Sequence, residues 1–384
     1  SGAAMTPVYF DYAATTPVDP RVLEAMLPFF TTHYGNPASR QHGSGDYAHS
    51  AVEEARTQVA QAFGADPREI IWTSGATESD NLALQGVAFS PYYMRRGNHV
   101  ITVATEHKAV LDACAYLETR GIAVTYLPVD ASGRIDLGEL AAAITPSTIL
   151  VSIMHANNET GVLQPIREIG ALCRERDVLF HTDATQSFGK VPIDVEADGI
   201  DLLSLSAHKV YGPKGVGALY VRRKGPRVRC VPLQHGGGHE RGLRSGTLNV
   251  PGIVGLGAAA ELAFRERAEE QARVAKLRDY LESELMARLD VRRNGHETER
   301  LAGFANLSFA GVDADRLMKE IPEVHVSTRS ACTSAVRQPS YVLAAMGCDD
   351  AHMAGSIRFS LGRMTTEAEV DTVVARIVAA IGAM

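Results

Sequence analysis

The stretches "VLFHTDATQS" (178–187) and "DLLSLSAHKVYGPKG" (201–215) follow one plan: a short apolar run that stops abruptly at polar and small residues. Runs this short, rich in Val, Leu and Phe, suit strands better than helices. They are close to continuous in hydrophobicity and do not alternate, which fits strands covered on both faces. The pattern recurs at "EIIWTS" (69–74), "HVITVA" (99–104), "VTYLPV" (124–129), "TILVSIMH" (148–155) and "GALYVRR" (217–223). Helix-like segments separate these runs. The expected fold is therefore α/β, a mostly parallel central sheet with helices on both faces.

After about residue 255 the texture changes to a long charged helix-like stretch, 258–289, followed by "FANLSFA" (304–310), "SIRFSL" (356–361) and an amphipathic helix, 366–382. Three parts are expected: an N-terminal segment (5–20) packing with a small domain, a large α/β domain (21–257), and a linking helix with a small α+β domain (258–384). The chain has 384 residues, 45% of them hydrophobic and 22% charged, enough for a large core. A net charge of −7 supplies no global basic field to hold nucleic acid, and "VRRKGPRVR" (221–229) reads as a solvated loop. No apolar run approaches the roughly 20 residues of a membrane span, and no signal pattern opens the chain, so a cytoplasmic protein is expected. "SGAA" before Met5 reads as a cloning remnant. Five cysteines without CxxC spacing indicate neither a disulfide framework nor a zinc site, and no metal is expected.

Asp183 at one strand end and Ser206-x-His208-Lys209 at the next form the set that an enzyme holding pyridoxal phosphate requires. A lysine carries the cofactor, a carboxylate keeps its ring nitrogen protonated, and hydroxyl and imidazole donors hold its phosphate. Taken singly, Asp183 also suits a helix cap and Lys209 an exposed surface. "TSGATESDN" (73–81) follows a strand and opens a helix, where backbone amides and the helix dipole favour an anion; Thr77 with Asp80 also suits a cap. "TEHKAV" (105–110) puts His107 after another strand, on the sheet edge where ligands bind in open α/β folds. In "STRSACTSA" (327–335), Cys332 sits among small and hydroxylated residues with Arg329 three positions earlier, a cation able to lower a thiol's pKa. Local sequence leaves nucleophile, structural cysteine and metal ligand all open for it.

Together with "YFDYAATTPVDPRV" (9–22), "GNPASRQH" (35–42), "SIMHANNETG" (152–161), "HGGGHERGLRSGT" (235–247), "PSYVLAAMG" (339–347) and "SIRFSLGR" (356–363), these segments make the chain resemble the cysteine desulfurases. Those enzymes are class V aminotransferases of fold-type I, and the pattern is similar to the branch that supplies sulfur for iron–sulfur clusters. The resemblance implies that Lys209 carries pyridoxal 5'-phosphate covalently, Asp183 pairs with its ring nitrogen, and His107 stacks on the ring and moves protons. It implies phosphate contacts from Ala76, Thr77, Ser206 and His208, and places Gln186 and Asn158 near the ring oxygen and the substrate. Arg358 would clamp the carboxylate of L-cysteine, and Cys332 would take its sulfur as a persulfide for an acceptor protein such as a cluster scaffold or sulfur carrier. Thr247 would reach the cofactor of the other subunit, giving a homodimer with shared active sites.

The chain departs from the family pattern in two places. Arg329 stands where the loop Ser-Ser-Gly-Ser-Ala-Cys has glycine, and Arg337-Gln338 replace an apolar residue and glutamate. Relatives commonly continue past "AAIGAM" (379–384) into a tail that docks a scaffold, so a dedicated donor for a specialised pathway is an alternative expectation. Another lyase or transaminase on the same scaffold, or a non-catalytic sulfur-handling scaffold, are the remaining ones.

Overall fold

The computed structural model describes residues 6–328 and 338–384. Its strands, among the described residues, are β1 (Val8–Tyr9), β2 (Ile70–Thr73), β3 (His99–Val103), β4 (Ala123–Leu127), β5 (Thr148–Ser152) and β6 (Leu179–Asp183), then β7 (Leu202–Ser206), β8 (Gly217–Val221), β9 (Val291–Arg293), β10 (Phe304–Phe309), β11 (Val324–His325) and β12 (Ser356–Ser360). Seven of them form one sheet in the order β2-β8-β7-β6-β5-β3-β4. Within it β8 lies antiparallel to β2 and β7, while β4, β3, β5, β6 and β7 pair in parallel. Each of the seven runs read as a strand forms one of these, the strands beginning within one residue of the runs.

Burial on both faces explains why the runs looked continuous. Phe180, Leu203, Leu205 and Tyr220 enter one hydrophobic core, while Leu179, Leu202, Leu219 and Val221 enter a second on the opposite face. Successive side chains of one strand thus feed different cores, the period of two expected for a pleat.

A smaller antiparallel sheet, β12-β10-β9, carries a third core. The N-terminal segment joins it: β1 pairs in parallel with β11, and Val8 and Phe10 are buried there. The helix Val250–Arg288 connects the two regions. Its 39 residues span about 58 Å at 1.5 Å per residue. Ile253 and Leu256 pack under the large sheet, and Val274, Leu281 and Leu285 pack in the third core. It starts eight residues before the expected 258, because Asn249 caps it by accepting from the Gly252 amide (3.1 Å) and Pro251 fits the first turn. No described helix is long and apolar enough to cross a membrane.

Glu282 locks this helix to the small sheet. It is buried, takes both terminal nitrogens of the buried Arg300, and accepts from Arg293 on β9 at 2.8 and 3.1 Å. Glu282→Ala strands the Arg300 guanidinium in the interior and should cost about 3–5 kcal/mol in urea unfolding. The exposed pair of Glu284 with Arg288 on the same helix should contribute no more than about 0.5 kcal/mol to a Glu284→Ala comparison. Equal losses for the two variants would show that Glu282 is not a structural lock.

Candidate active site

Parallel strands leave their carboxyl ends on one edge of the sheet, and the chain after β2, β3, β5, β6 and β7 lines a cavity of about 340 Å³. Of the residues singled out from the sequence, Ala76, Thr77, His107, Asn158, Asp183, Gln186, Ser206, His208 and Lys209 all line it. They come from five separate stretches of chain, so the cavity is assembled by the fold and not by one loop.

The first wall is the start of the helix Ala76–Ala88, whose first-turn amides have no acceptor within the helix. Its position is set from below. The buried Ser79 bonds Thr73 Oγ1 (2.7 Å) and donates to Ala218 O (3.0 Å), which ties the helix to β2 and β8. Gly217 lets this happen: a Cβ there would lie 2.5 Å from Leu205 O and 2.7 Å from Gly75 Cα. Glu78 accepts from the Ser74 amide (3.0 Å) and from Arg244 (2.9 and 3.1 Å), closing the rim. Arg244 and the Ser74 amide offset the effect of burial and hold the Glu78 carboxyl below its usual range.

The second wall is fixed by the N-terminal segment. Lys209 Nζ donates to Ala13 O (2.5 Å), and the Gln186 amide donates to the same carbonyl (3.0 Å). Thr15 Oγ1 meets His208 Nδ1 at 3.0 Å, and Thr16 bonds the His208 carbonyl through its amide (3.0 Å) and hydroxyl (2.8 Å). Burial, with Lys209, Lys214 and Lys190 nearby, pushes the His208 pKa down to about 4, so its ring is neutral at physiological pH. It therefore offers a hydrogen bond and not a charge.

Asp183 closes the floor. It is buried, and its Oδ1 accepts from the Thr185 amide (2.9 Å) and hydroxyl (2.5 Å). His107 caps the helix Lys108–Thr119, its Nδ1 accepting from the Ala109 amide at 3.0 Å. That bond leaves the proton of the neutral ring on Nε2. Gln186 Oε1 is buried without a hydrogen-bond partner, a polar atom awaiting a donor.

Two expected residues stand outside the lining. Arg358 on β12 is buried beside it, donating to Asn158 O (2.7 Å) and pairing with Asp11 (2.9 Å). Asn158 thus has its carbonyl on Arg358 while the residue borders the cavity. Thr247 is exposed, three residues beyond the Arg244 that grips the rim. Cys332, Arg329 and Arg337 lie outside the described residues. The reading of single motifs missed the role of Ala13, Thr15 and Thr16; the only signal was the run of small and hydroxylated residues after the apolar "YF". Among the described residues no group of three or more His, Cys, Asp or Glu side chains is arranged to hold a metal ion.

A family model for aminotransferase class-V matches residues 8–373. The chain is 59% identical over 366 residues to the cysteine desulfurase IscS of Anaeromyxobacter dehalogenans (strain 2CP-C), covering 95% of this chain and 90% of that protein. A solved NifS-like protein superposes with a TM-score of 0.92 at 42% identity, covering 99% of this chain and 100% of that one. The structure of SspA in complex with cysteine superposes with a TM-score of 0.82, also at 42% identity, covering 93% and 99%.

The close approach at Gly217 yields a test of the first wall. Gly217→Ala forces a methyl against the backbone of Gly75 and Leu205, an overpacking cost of about 1–3 kcal/mol. If this wall holds pyridoxal phosphate, as the sequence resemblance implies, the variant should bind it about five- to a hundredfold more weakly in a fluorescence titration. An unchanged dissociation constant would remove this loop from the binding site.

Proposed function

The chain belongs to the class-V aminotransferases and, within them, to the cysteine desulfurases, and from that premise we propose how its residues divide the work: pyridoxal 5'-phosphate binds in the cavity, L-cysteine is the substrate, and Cys332 receives the sulfur. The observation that carries the reading is the convergence on one cavity of Lys209, Asp183, His107 and the start of the helix Ala76–Ala88. The donor set fits the cofactor. A phosphate suits the helix N-terminus with Ser206 and neutral His208, and Gln186, which borders the cavity, has an Oε1 without a hydrogen-bond partner. The solved relative holding cysteine supports the substrate.

When bound, pyridoxal phosphate supplies an electron-accepting ring that weakens bonds at the substrate's Cα and Cβ. Everything else falls to the protein. The Asp183 carboxylate would hold a proton on the ring nitrogen. Lys209 would attach the cofactor, and its amine, which donates to the Ala13 carbonyl, would move the proton at the substrate Cα. His107, whose Nδ1 accepts from the Ala109 amide, would serve as a proton donor through Nε2. Arg358 holds the substrate carboxylate through the guanidinium fork, which Asp11 and the Asn158 carbonyl keep in place. The Cys332 thiolate attacks the substrate sulfur; the new S–S bond forms as the C–S bond breaks, and the electron pair remaining on carbon is protonated to give L-alanine. The persulfide then passes to an acceptor protein, a cluster scaffold or sulfur carrier. Thr247, exposed next to the rim, completes the site of a partner subunit in a homodimer.

Lys209→Ala should lose the absorbance of covalently held cofactor, whereas Cys332→Ala should bind cofactor and cysteine normally and release little sulfide. Full turnover by Cys332→Ala would remove the thiol from the reaction. Arg358→Ala should raise the KM for cysteine about ten- to a hundredfold with cofactor binding intact, the effect of losing a charge-assisted contact. An unchanged KM would move the carboxylate site elsewhere.

A further inference from the structure

Tyr341, at the start of the helix Tyr341–Ala345, has no part in the reaction as described, yet its hydroxyl donates to Glu106 O at 2.6 Å across 235 residues of chain. That carbonyl belongs to the residue just before His107. We propose that Tyr341 is a positioning residue: its hydroxyl fixes the peptide joining Glu106 to His107 and so holds the His107 ring where the reaction needs it. This rests on the reading of His107 as the group that gives a proton in the cavity.

The chain leaving β3 turns into the helix Lys108–Thr119, and the polar groups of the turn are held from two distant stretches. The Asn157 side-chain amide donates to Thr105 O (3.0 Å), and the Met154 amide donates to the Glu106 carboxyl, 3.0 Å from each oxygen. Thr105, Glu106 and Asn157 are all buried. Of these bonds and that of Tyr341, only the last acts on the peptide that carries the His107 nitrogen. A peptide unit is planar, so a donor fixed on Glu106 O also fixes the direction in which His107 N and Cα lie. The Ala109 amide, donating to His107 Nδ1 at 3.0 Å, then sets the ring.

Tyr341 is itself held firmly enough to do this. Ser340 caps its helix, accepting from the Leu343 amide (3.1 Å) and donating to Glu159 Oε1 (2.7 Å), and the buried Glu159 follows Asn158 on the cavity wall. Val342, Leu343 and Met346 form a small core of their own, with Val129 and the Tyr341 ring packed against it. Lys108 Nζ lies 4.7 Å from the centre of that ring, so Tyr341 touches the residues on both sides of His107. Packing and the cation contact would be met by phenylalanine as well. What tyrosine adds is the donor.

Tyr341→Phe removes that donor and keeps the ring beside Lys108. Hydrogen exchange of the full chain, with and without pyridoxal phosphate, reads the effect independently of turnover. The amides of Glu106, Ala109, Val110 and Leu111 all bond within this turn. Peptides covering them should exchange about three- to tenfold faster in the variant, the loss of one neutral hydrogen bond, while the rest of the helix exchanges as in wild type. In single turnovers of the loaded enzyme, Tyr341→Phe should form alanine about three- to tenfold more slowly at saturating cysteine. The half-saturating cysteine concentration should stay within about twofold of wild type, because Arg358 keeps its bonds to Asn158 O and Asp11. In a His107→Ala background the same change should cost no more than about twofold, since a residue acting through His107 has nothing left to position. An undiminished loss in that background, an unchanged rate in Tyr341→Phe alone, or an unchanged exchange of the turn would overturn the proposal and leave His107 its role. A His107→Ala enzyme that forms alanine at the wild-type rate would instead remove His107 from the reaction, and the proposal with it.

Discussion

A carboxylate, Asp183, sits at the end of a strand that is sealed on both faces, and much of the architecture serves to make that tolerable. A charge removed from water needs hydrogen bonds or a partner. Thr185 supplies two of the former from the turn that follows β6. Below it, polar side chains cross an otherwise apolar sheet from Ser152 through His181 to Ser204. The helix Ala76–Ala88, whose start lines the cavity, packs on the same sheet, with Leu82, Leu84 and Val87 in the second core.

The other half of the site depends on segments distant in sequence. Ala13, Thr15 and Thr16 reach across to Lys209, Gln186 and His208, while Phe10 just before them is embedded in the third core. Arg358 lies on β12 of the small sheet yet bonds the backbone of Asn158 at the cavity wall. Glu282 and the 39-residue helix hold that small sheet against the large one. The position of Arg358 relative to Lys209 is therefore set by packing along the long helix as well as by local contacts. A fixed spacing between an amine and a guanidinium is what an amino-acid substrate demands.

The seven strands of the large sheet were legible because each buries both faces and so reads as an unbroken apolar run. Asp183, Lys209 and His107 each follow the end of such a run, which put them on one sheet edge, but singly each also suited a cap or a surface position; it is their lining of one cavity that makes them a set. Contacts that depend on chain crossing were not. Nothing local marks Ala13 O as the acceptor for Lys209, since a carbonyl carries no sequence signature. Asp80 read as a partner of Thr77 in a helix cap, because its spacing fits that motif; only the packing of the helix on β6 and β7 turns its carboxyl inward. The long helix begins eight residues before the charged stretch that marked it in the sequence, because its true start depends on a cap at Asn249.

The central claim is that substrate sulfur leaves cysteine for one thiol of this chain. The most direct measurement is peptide mass mapping after a single addition of L-cysteine to the cofactor-loaded protein, with free thiols and persulfides alkylated and without reductant. The account predicts that the peptide containing Cys332 gains the mass of one sulfur atom, that the gain disappears in Lys209→Ala, and that the peptides of Cys114, Cys173, Cys230 and Cys348 stay unmodified. Sulfur found first on one of those four cysteines, or alanine formed at full rate with Cys332 never modified, would contradict it.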